Sequence, residues 1–472
     1  ISLCGVTGDK PPIFFSTDKG QVQRLCIATL KKPNRNIAIN FISNNLISLE
    51  DDLPGIINQG LLSSHELING TKDRKDWDLA SKKAKSVVGK TKKELLTALG
   101  YSVNKLDNLT EILKANDRRT AIAVFLDEDE IPETKSARFN NLSPISYALN
   151  KADQENIPWV ILQQEDRIRL HSVQNLGVSR RGRSESYLEC NTSLIPSDFL
   201  GILWLLFSSD ALKKHGSINE IIDQSNRFAV GVAEELRERI YDIVIPLLAK
   251  GIIKGRNLKQ PTKEDLSFTY EMVITVLFRL LFIAYAEDRD LLPYKTNENY
   301  RKRSLKQKAI ELIKTESMAI SHGSHHWEET IQLFKAVFYG NKEWSVPAYE
   351  GSIFSDDPEV SKVGEEISKI KISNEYFELA LKSLLLNNSS RSSSGPVDFR
   401  SLSVREFGTI YESLLESDLS LAKEDLTIDK KGFYVPLKTK EDNVVIHKNE
   451  IYLHDNPGAR KSSGSYYTPD FA

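Results

Sequence analysis

Two kinds of apolar spacing alternate along the chain, and their boundaries divide it. In "KKELLTALGY" (Lys92 to Tyr101), Leu95, Leu96 and Leu99 fall on one helical face and Gly100 supplies a stop. "TAIAVFL" (Thr120 to Leu126) is apolar and β-branched enough for a buried strand. "PISYALNKADQEN" reads as a helix, and "IPWVILQQEDRIRLHSV" as a hairpin, with Trp159 to Leu162 before a polar turn and Ile168 and Leu170 after it. This order predicts an α/β domain over 1–195.

From 196 to 386 the period becomes helical. Phe228, Val232, Leu236, Ile240, Val244 and Leu247 recur at three- and four-residue steps, with Ser225 placed to cap the start and Gly251 the end. "MVITVLFRLLFIAYA" (Met272 to Ala286) is shorter than the roughly 20 residues of a bilayer span and carries Arg279 at its centre, which predicts a buried helix. The serine-rich "LNNSSRSSSGPVDF" predicts a flexible linker at 387–398. In 399–472, Ser403 and Glu406 have capping-box spacing ahead of an apolar stripe of Phe407, Ile410, Tyr411 and Leu414. Two short β-like passages, "GFYVPLKT" and "NVVIHKNEIYLH", follow.

Composition narrows the function classes. Lys and Arg number 63 against 65 Asp and Glu, a net charge of −2, so any nucleic-acid contact must come from local basic patches. Cys4, Cys26 and Cys190 are widely spaced and odd in number, which fits a reducing cytoplasm and neither a disulfide framework nor a zinc site. His322, His325 and His326 in "HGSHHW" read as a solvated loop. No secretory leader is evident and no membrane partner is expected. The first residue is Ile, which leaves room for a start further upstream.

"GTIYESLLE" (Gly408 to Glu416) and, further on, "RKSSGSYYTP" (Arg460 to Pro469) strongly resemble the entry to the methyltransferase domain of large DNA adenine methyltransferases. The relatives are type IIG restriction-modification enzymes and similar phage-defence methylases. The likeness extends to "LFRLLFIAYAEDRDLLP" (Leu277 to Pro293), "YEGSIFS" (Tyr349 to Ser355) and the "IPWVIL…RIRLHS" hairpin. The resemblance implies that Tyr466, Tyr467, Thr468 and Pro469 edge the S-adenosylmethionine pocket. An aromatic face suits a sulfonium, Thr468 can hydrogen-bond the methionine end, and Gly464 permits a sharp turn. The Asn-Pro-Pro-Tyr or Asp-Pro-Pro-Tyr box that holds the target adenine in this family lies downstream of that motif, and neither occurs in these 472 residues. The expected fold is therefore α/β plus α: a nuclease-like mixed α/β amino-terminal domain, a helical connector domain and the first elements of a methyltransferase domain.

In type IIG enzymes the amino-terminal domain is often a Mg²⁺-dependent nuclease built on an Asp and a Glu-x-Lys. Here the expected position, after Leu126, reads Asp127, Glu128, Asp129 with no lysine. A literal Glu-x-Lys, Glu133 to Lys135, follows Pro132 in a polar stretch, and Asp117 is the one obvious upstream partner. The expectation is a nuclease-like fold that has lost its chemistry. Candidate phosphate contacts are Arg180, Arg181 and Arg183 in "SRRGRS" and Arg301, Lys302 and Arg303 in "YRKRSLKQK". The parent enzyme is thus expected to methylate adenine in double-stranded DNA with S-adenosylmethionine, with this chain inactive alone. It would be cytoplasmic and open to pairing with other restriction or defence subunits. Two rival readings are a Mg²⁺-dependent endonuclease half of a bifunctional enzyme and a non-catalytic DNA-binding or assembly scaffold of a defence complex.

Overall fold

The computed structural model describes residues 2–5, 13–16, 19–32, 34–46, 53–178, 182–314, 323–387, 395–402, 404–429, 433–437 and 443–455. Two compact units emerge, Ile1–Val230 and Gly231–Ala472.

The first unit opens with the hairpin β1 (Ser2–Gly5) and β2 (Ile13–Ser16) and the helices α1 (Lys19–Leu30) and α2 (Arg35–Leu46). Then come β3 (Ile56–Gln59), α3 (Trp77–Ala84), α4 (Lys92–Ala98), β4 (Ser102–Lys105), β5 (Thr110–Ala115) and β6 (Arg118–Phe125). After α5 (Pro144–Gln154) the chain forms β7 (Trp159–Gln164), β8 (Arg167–Ser172) and β9 (Tyr187–Asn191), then α6 (Leu200–Phe207) and α7 (Ser209–Leu212). The helix α8 (Ser217–Arg239) begins in this unit.

Seven strands form one mixed sheet in the order β3-β9-β8-β7-β6-β5-β4. Every neighbouring pair is antiparallel except β6 and β7, which are parallel because α5 carries the chain across between them. The two-residue side-chain period then sorts β6 between two cores. Ala121 and Ala123 join Leu95 and Leu96 of α4, Leu99 just past its end, and Leu203 and Leu206 of α6. Ile122 and Val124 join Ile145, Ala148, Leu149 and Ala152 of α5. The sheet is covered on both faces, as its near-continuous apolar strands require. Gly100, at φ +90°, ends the α4 segment as its sequence predicts.

The two compact units divide at Val230 and Gly231. The reason is packing: Leu200 to Phe207 and Ile218 to Ile222 complete the core over the sheet.

In the second unit α8 passes through a π-helical turn, Ile240–Val244, into α9 (Ile245–Gly255). Next come α10 (Lys263–Asp288), α11 (Glu298–Arg301), α12 (Leu305–Lys314), α13 (His325–Tyr339), α14 (Lys362–Lys369) and α15 (Asn374–Leu385). The tail contains β10 (Leu386–Asn387), β11 (Gly395–Pro396), α16 (Val404–Leu415), β12 (Ser417–Leu421), β13 (Leu426–Ile428), β14 (Tyr434–Pro436) and β15 (Ile451–Asp455).

Two local expectations change here. Ser225 sits buried inside α8, because the helix already starts at Ser217. Gly251 lies within α9, where a Cβ would come within 2.5 Å of Ile372, so it serves close packing and the helix runs on to Gly255. The flanks of the serine-rich run are tied to each other, Leu386 pairing with Pro396 and Asn387 with Gly395. The residues between, 388–394, are outside the described set.

The helix α10 is longer than its apolar run and would by length and composition also suit a bilayer span. Its surroundings here are protein. Thr262 and Asp265 close a capping box at its start. Buried Arg279 donates from Nε to the Ile353 carbonyl at 2.6 Å and from Nη2 to that of Ser355 at 3.1 Å. "YEGSIFS" is therefore where the charge in the middle of the apolar helix is satisfied.

Candidate functional site

The nuclease candidates are spread out. Asp117 occupies the exposed tip between β5 and β6, at φ +60° beside Asn116 at φ +48°, a left-handed pair typical of a two-residue hairpin turn. Asp127 lies past the other end of β6. The eight residues of that strand separate them by roughly 25 Å, so one ion cannot hold both. Asp127 and Glu130 are instead taken by Arg138, whose Nη1 reaches them at 2.9 and 2.5 Å. Glu133 binds Arg169 at 2.5 Å, and Lys135 is exposed. Among the described residues no three His, Cys, Asp or Glu side chains converge as a metal group.

Sequence reading missed a buried carboxylate on β5. Glu111 is 9 % exposed, and Lys93, at the start of α4, holds its Oε1 at 2.7 Å while Oε2 has no hydrogen-bond partner. Its cross-strand neighbour on β6 is Ala123. The next residue on that face is Phe125. On its other side Lys105 of β4 stands opposite it, so its strand partners supply a lysine but no second carboxylate with which to share an ion. The signal available in sequence was Glu111 beside Ile112 and Leu113, a faint one because Lys114 also interrupts the strand.

A second buried charge lies on β8. Arg169 Nε donates to Glu189 at 2.6 Å, and the guanidinium sits 4.0 Å from the Tyr187 ring centroid. Beside it His171 is fully buried. Its Nδ1 lies 3.1 Å from the Arg183 carbonyl, to which a protonated Nδ1 donates. Burial, then the Arg169 charge, lowers its pKa to about 3.

Each described basic candidate has a partner within the fold, although the pairs of Arg183 and Lys302 lie at the surface. Arg183 donates to Asp153 at 2.8 and 2.9 Å. Arg301 donates to the carbonyls of Tyr294 and Lys295. Lys302 pairs with Glu298 at 2.7 Å, and Arg303 bonds the Asn299 carbonyl and covers the Trp344 ring at 4.8 Å. Lys306 pairs with Asp288, and Lys308 with Glu329. Arg180 and Arg181 lie outside the described residues, as do Gly464, Tyr466, Tyr467, Thr468, Pro469 and His322. His325 and His326 open α13, with His325 Nδ1 2.8 Å from Asn374 Nδ2, in place of the expected solvated loop.

The other motif segments meet. On α16, Tyr411 packs edge-on against Phe278 at 5.3 Å and Phe407 against Tyr285 at 5.4 Å, while the Tyr270 hydroxyl donates to the Leu414 carbonyl at 2.6 Å. At the end of α10, Glu287 Oε1 accepts from the Tyr300 hydroxyl and the Leu305 amide, and its Oε2 from the Lys306 amide. Asp288 accepts from the Phe399 amide at 2.8 Å. "AEDRDLLP" is thus a structural hinge-pin between α10, the start of α12 and the approach to α16. No family model, curated protein or solved structure matches the chain.

Proposed function

We propose that this chain serves a site-specific DNA adenine methyltransferase of the restriction-modification or phage-defence type, as the part that precedes the catalytic box. The observation that carries the reading is the pairing of "GTIYESLLE" with "GSYYTP" in one sequence. The seating of α16 on the "LFRLLFIAYAEDRDLLP" helix supports it, because two segments of the resemblance are in direct contact. The scattered carboxylates of the first unit favour a module without cleavage chemistry over the endonuclease alternative.

S-adenosylmethionine, when bound, would supply the methyl group. Tyr466 and Tyr467 would offer aromatic faces to its positive charge, Thr468 would hydrogen-bond its amino-acid end, and Gly464 and Pro469 would shape the turn. The test is tritiated-methyl transfer to duplex DNA by the protein as its gene encodes it, with nucleoside analysis of the product. Label on adenine is expected, and Tyr466→Ala should weaken cofactor binding by about 1–3 kcal/mol. Duplex that stays unlabelled, or label confined to cytosine, would overturn the proposal.

A further inference from the structure

A cleft of about 520 Å³ in the second unit lies where the end of α8 and its π-helical turn meet β14 and β15. Strand alternation puts Tyr452 and His454 on one face of β15. The Tyr452 ring lies 5.2 Å from that of Tyr434 at an interplanar angle of 71°, and 5.5 Å from His454 at 41°. His454 is fixed by a 2.9 Å contact between Nε2 and Ser420 Oγ. Tyr241 adds another ring from the π-helical turn, and Phe433, 52 % exposed, stands at the rim. From the helical side come Glu238 and Asp242, one turn apart, and Arg237. Two carboxylates against one guanidinium leave the lining with a net negative charge of one.

We propose that this cleft is an aromatic cage for an organic cation carrying methyl groups, a quaternary ammonium head or a methylated lysine side chain. The ring geometry selects the ligand. A nucleobase slot needs parallel faces on both sides of a flat molecule, and the Tyr434–Tyr452 and Tyr452–His454 ring pairs are inclined at 71° and 41°. The rings that line the cleft, Tyr434 and Tyr452 packed edge to face with Tyr241 and Phe433 beside them, leave no flat slot, and an aromatic face is what attracts a poorly hydrated cation. The carboxylates add to that attraction and would repel a phosphate. Burial and the neighbouring Glu238 hold the Asp242 carboxyl above its ordinary range, a penalty that a bound cation relieves. Interruption of a long helix by a π turn is itself frequent at functional sites, and here it carries both Tyr241 and Asp242. The inference does not depend on the methyltransferase reading.

The test is titration calorimetry of the intact protein with choline, with its neutral carbon isostere 3,3-dimethylbutan-1-ol, and with a trimethyllysine peptide. The cations should bind at least about tenfold more tightly than the neutral isostere. Tyr452→Ala should lose at least about tenfold in affinity while Tyr452→Phe, which keeps the ring, stays near wild type. Asp242→Asn should weaken the cations and leave the neutral compound unchanged, a readout that survives if Tyr452→Ala proves unstable by circular dichroism. Tighter binding of choline would assign a free small ligand, and tighter binding of the peptide a modified protein tail; both support the cage. Equal binding of the isostere, no binding of either cation, or preference for adenosine monophosphate would overturn it.

Discussion

Arg169 and Glu133 separate a structural charge from a solvated one. Arg169 is 9 % exposed and holds the buried Glu189, so Arg169→Met strands a carboxylate in the core and should cost about 3–5 kcal/mol in urea unfolding. The Glu133 side chain is 51 % exposed, and Glu133→Ala should cost less than about 1 kcal/mol. Neither Glu133→Ala nor Lys135→Ala should alter a plasmid incubated with Mg²⁺, which the wild-type protein should also leave intact. Cleavage that either substitution abolishes would restore the nuclease reading. His171 gives a pH signature. Its folded pKa, about 3, lies below its ordinary value, so the unfolded chain takes up a proton that the folded one refuses. The stabilisation is complete above about pH 6.5 and is lost as pH falls toward 3. Urea midpoints at pH 7 and 4.5 should therefore diverge, and His171→Gln should narrow the gap.

Glu287 does at the element level what no side chain of α12 itself does: it accepts from the two amides that open that helix. Glu287→Ala leaves both amides and the Tyr300 hydroxyl unsatisfied and should cost about 1–3 kcal/mol or more in thermal or urea unfolding. Burial and the nearby Asp288 raise its pKa to about 7 against the hydrogen bonds that oppose the shift. A raised folded pKa means stability that is whole below the unfolded value, about 4.5, and declines as pH climbs through 7, a slope Glu287→Gln should remove. Nothing local in "AEDRDLLP" announces these roles, because the partners of Glu287 lie 13 to 19 residues on and the Phe399 amide that Asp288 holds lies 111 residues on. The α4 stop at Gly100 and the β7–β8 hairpin were legible because their period and turn are local. Ser225 and Gly251 misled for the converse reason: helix ends that looked right by residue type were overridden by packing. The cation cage was invisible in sequence, since Tyr241, Tyr434 and Tyr452 approach only through the folding of the second unit.

For the whole molecule the decisive quantity is how much basic charge remains free for a phosphate backbone. The totals nearly cancel at −2, and the fold spends Arg183, Arg301, Lys302 and Arg303 on its own carboxylates, carbonyls and rings. Duplex DNA should then bind weakly, with a shallow salt dependence. Each phosphate neutralised contributes about 0.9 to the slope of log affinity against log salt. Fluorescence anisotropy between about 50 and 200 mM salt should give a slope of about 2 or less if Arg180 and Arg181 are the contacts. The double variant Arg180→Ala and Arg181→Ala should remove most of it. Arg301→Ala and Arg303→Ala should lower the melting temperature and leave the slope alone, because their bonds are internal. A slope several times larger, or one that falls with the Arg301 and Arg303 variants while they remain folded, would mean that DNA displaces these internal partners and that the second unit carries the nucleic-acid surface.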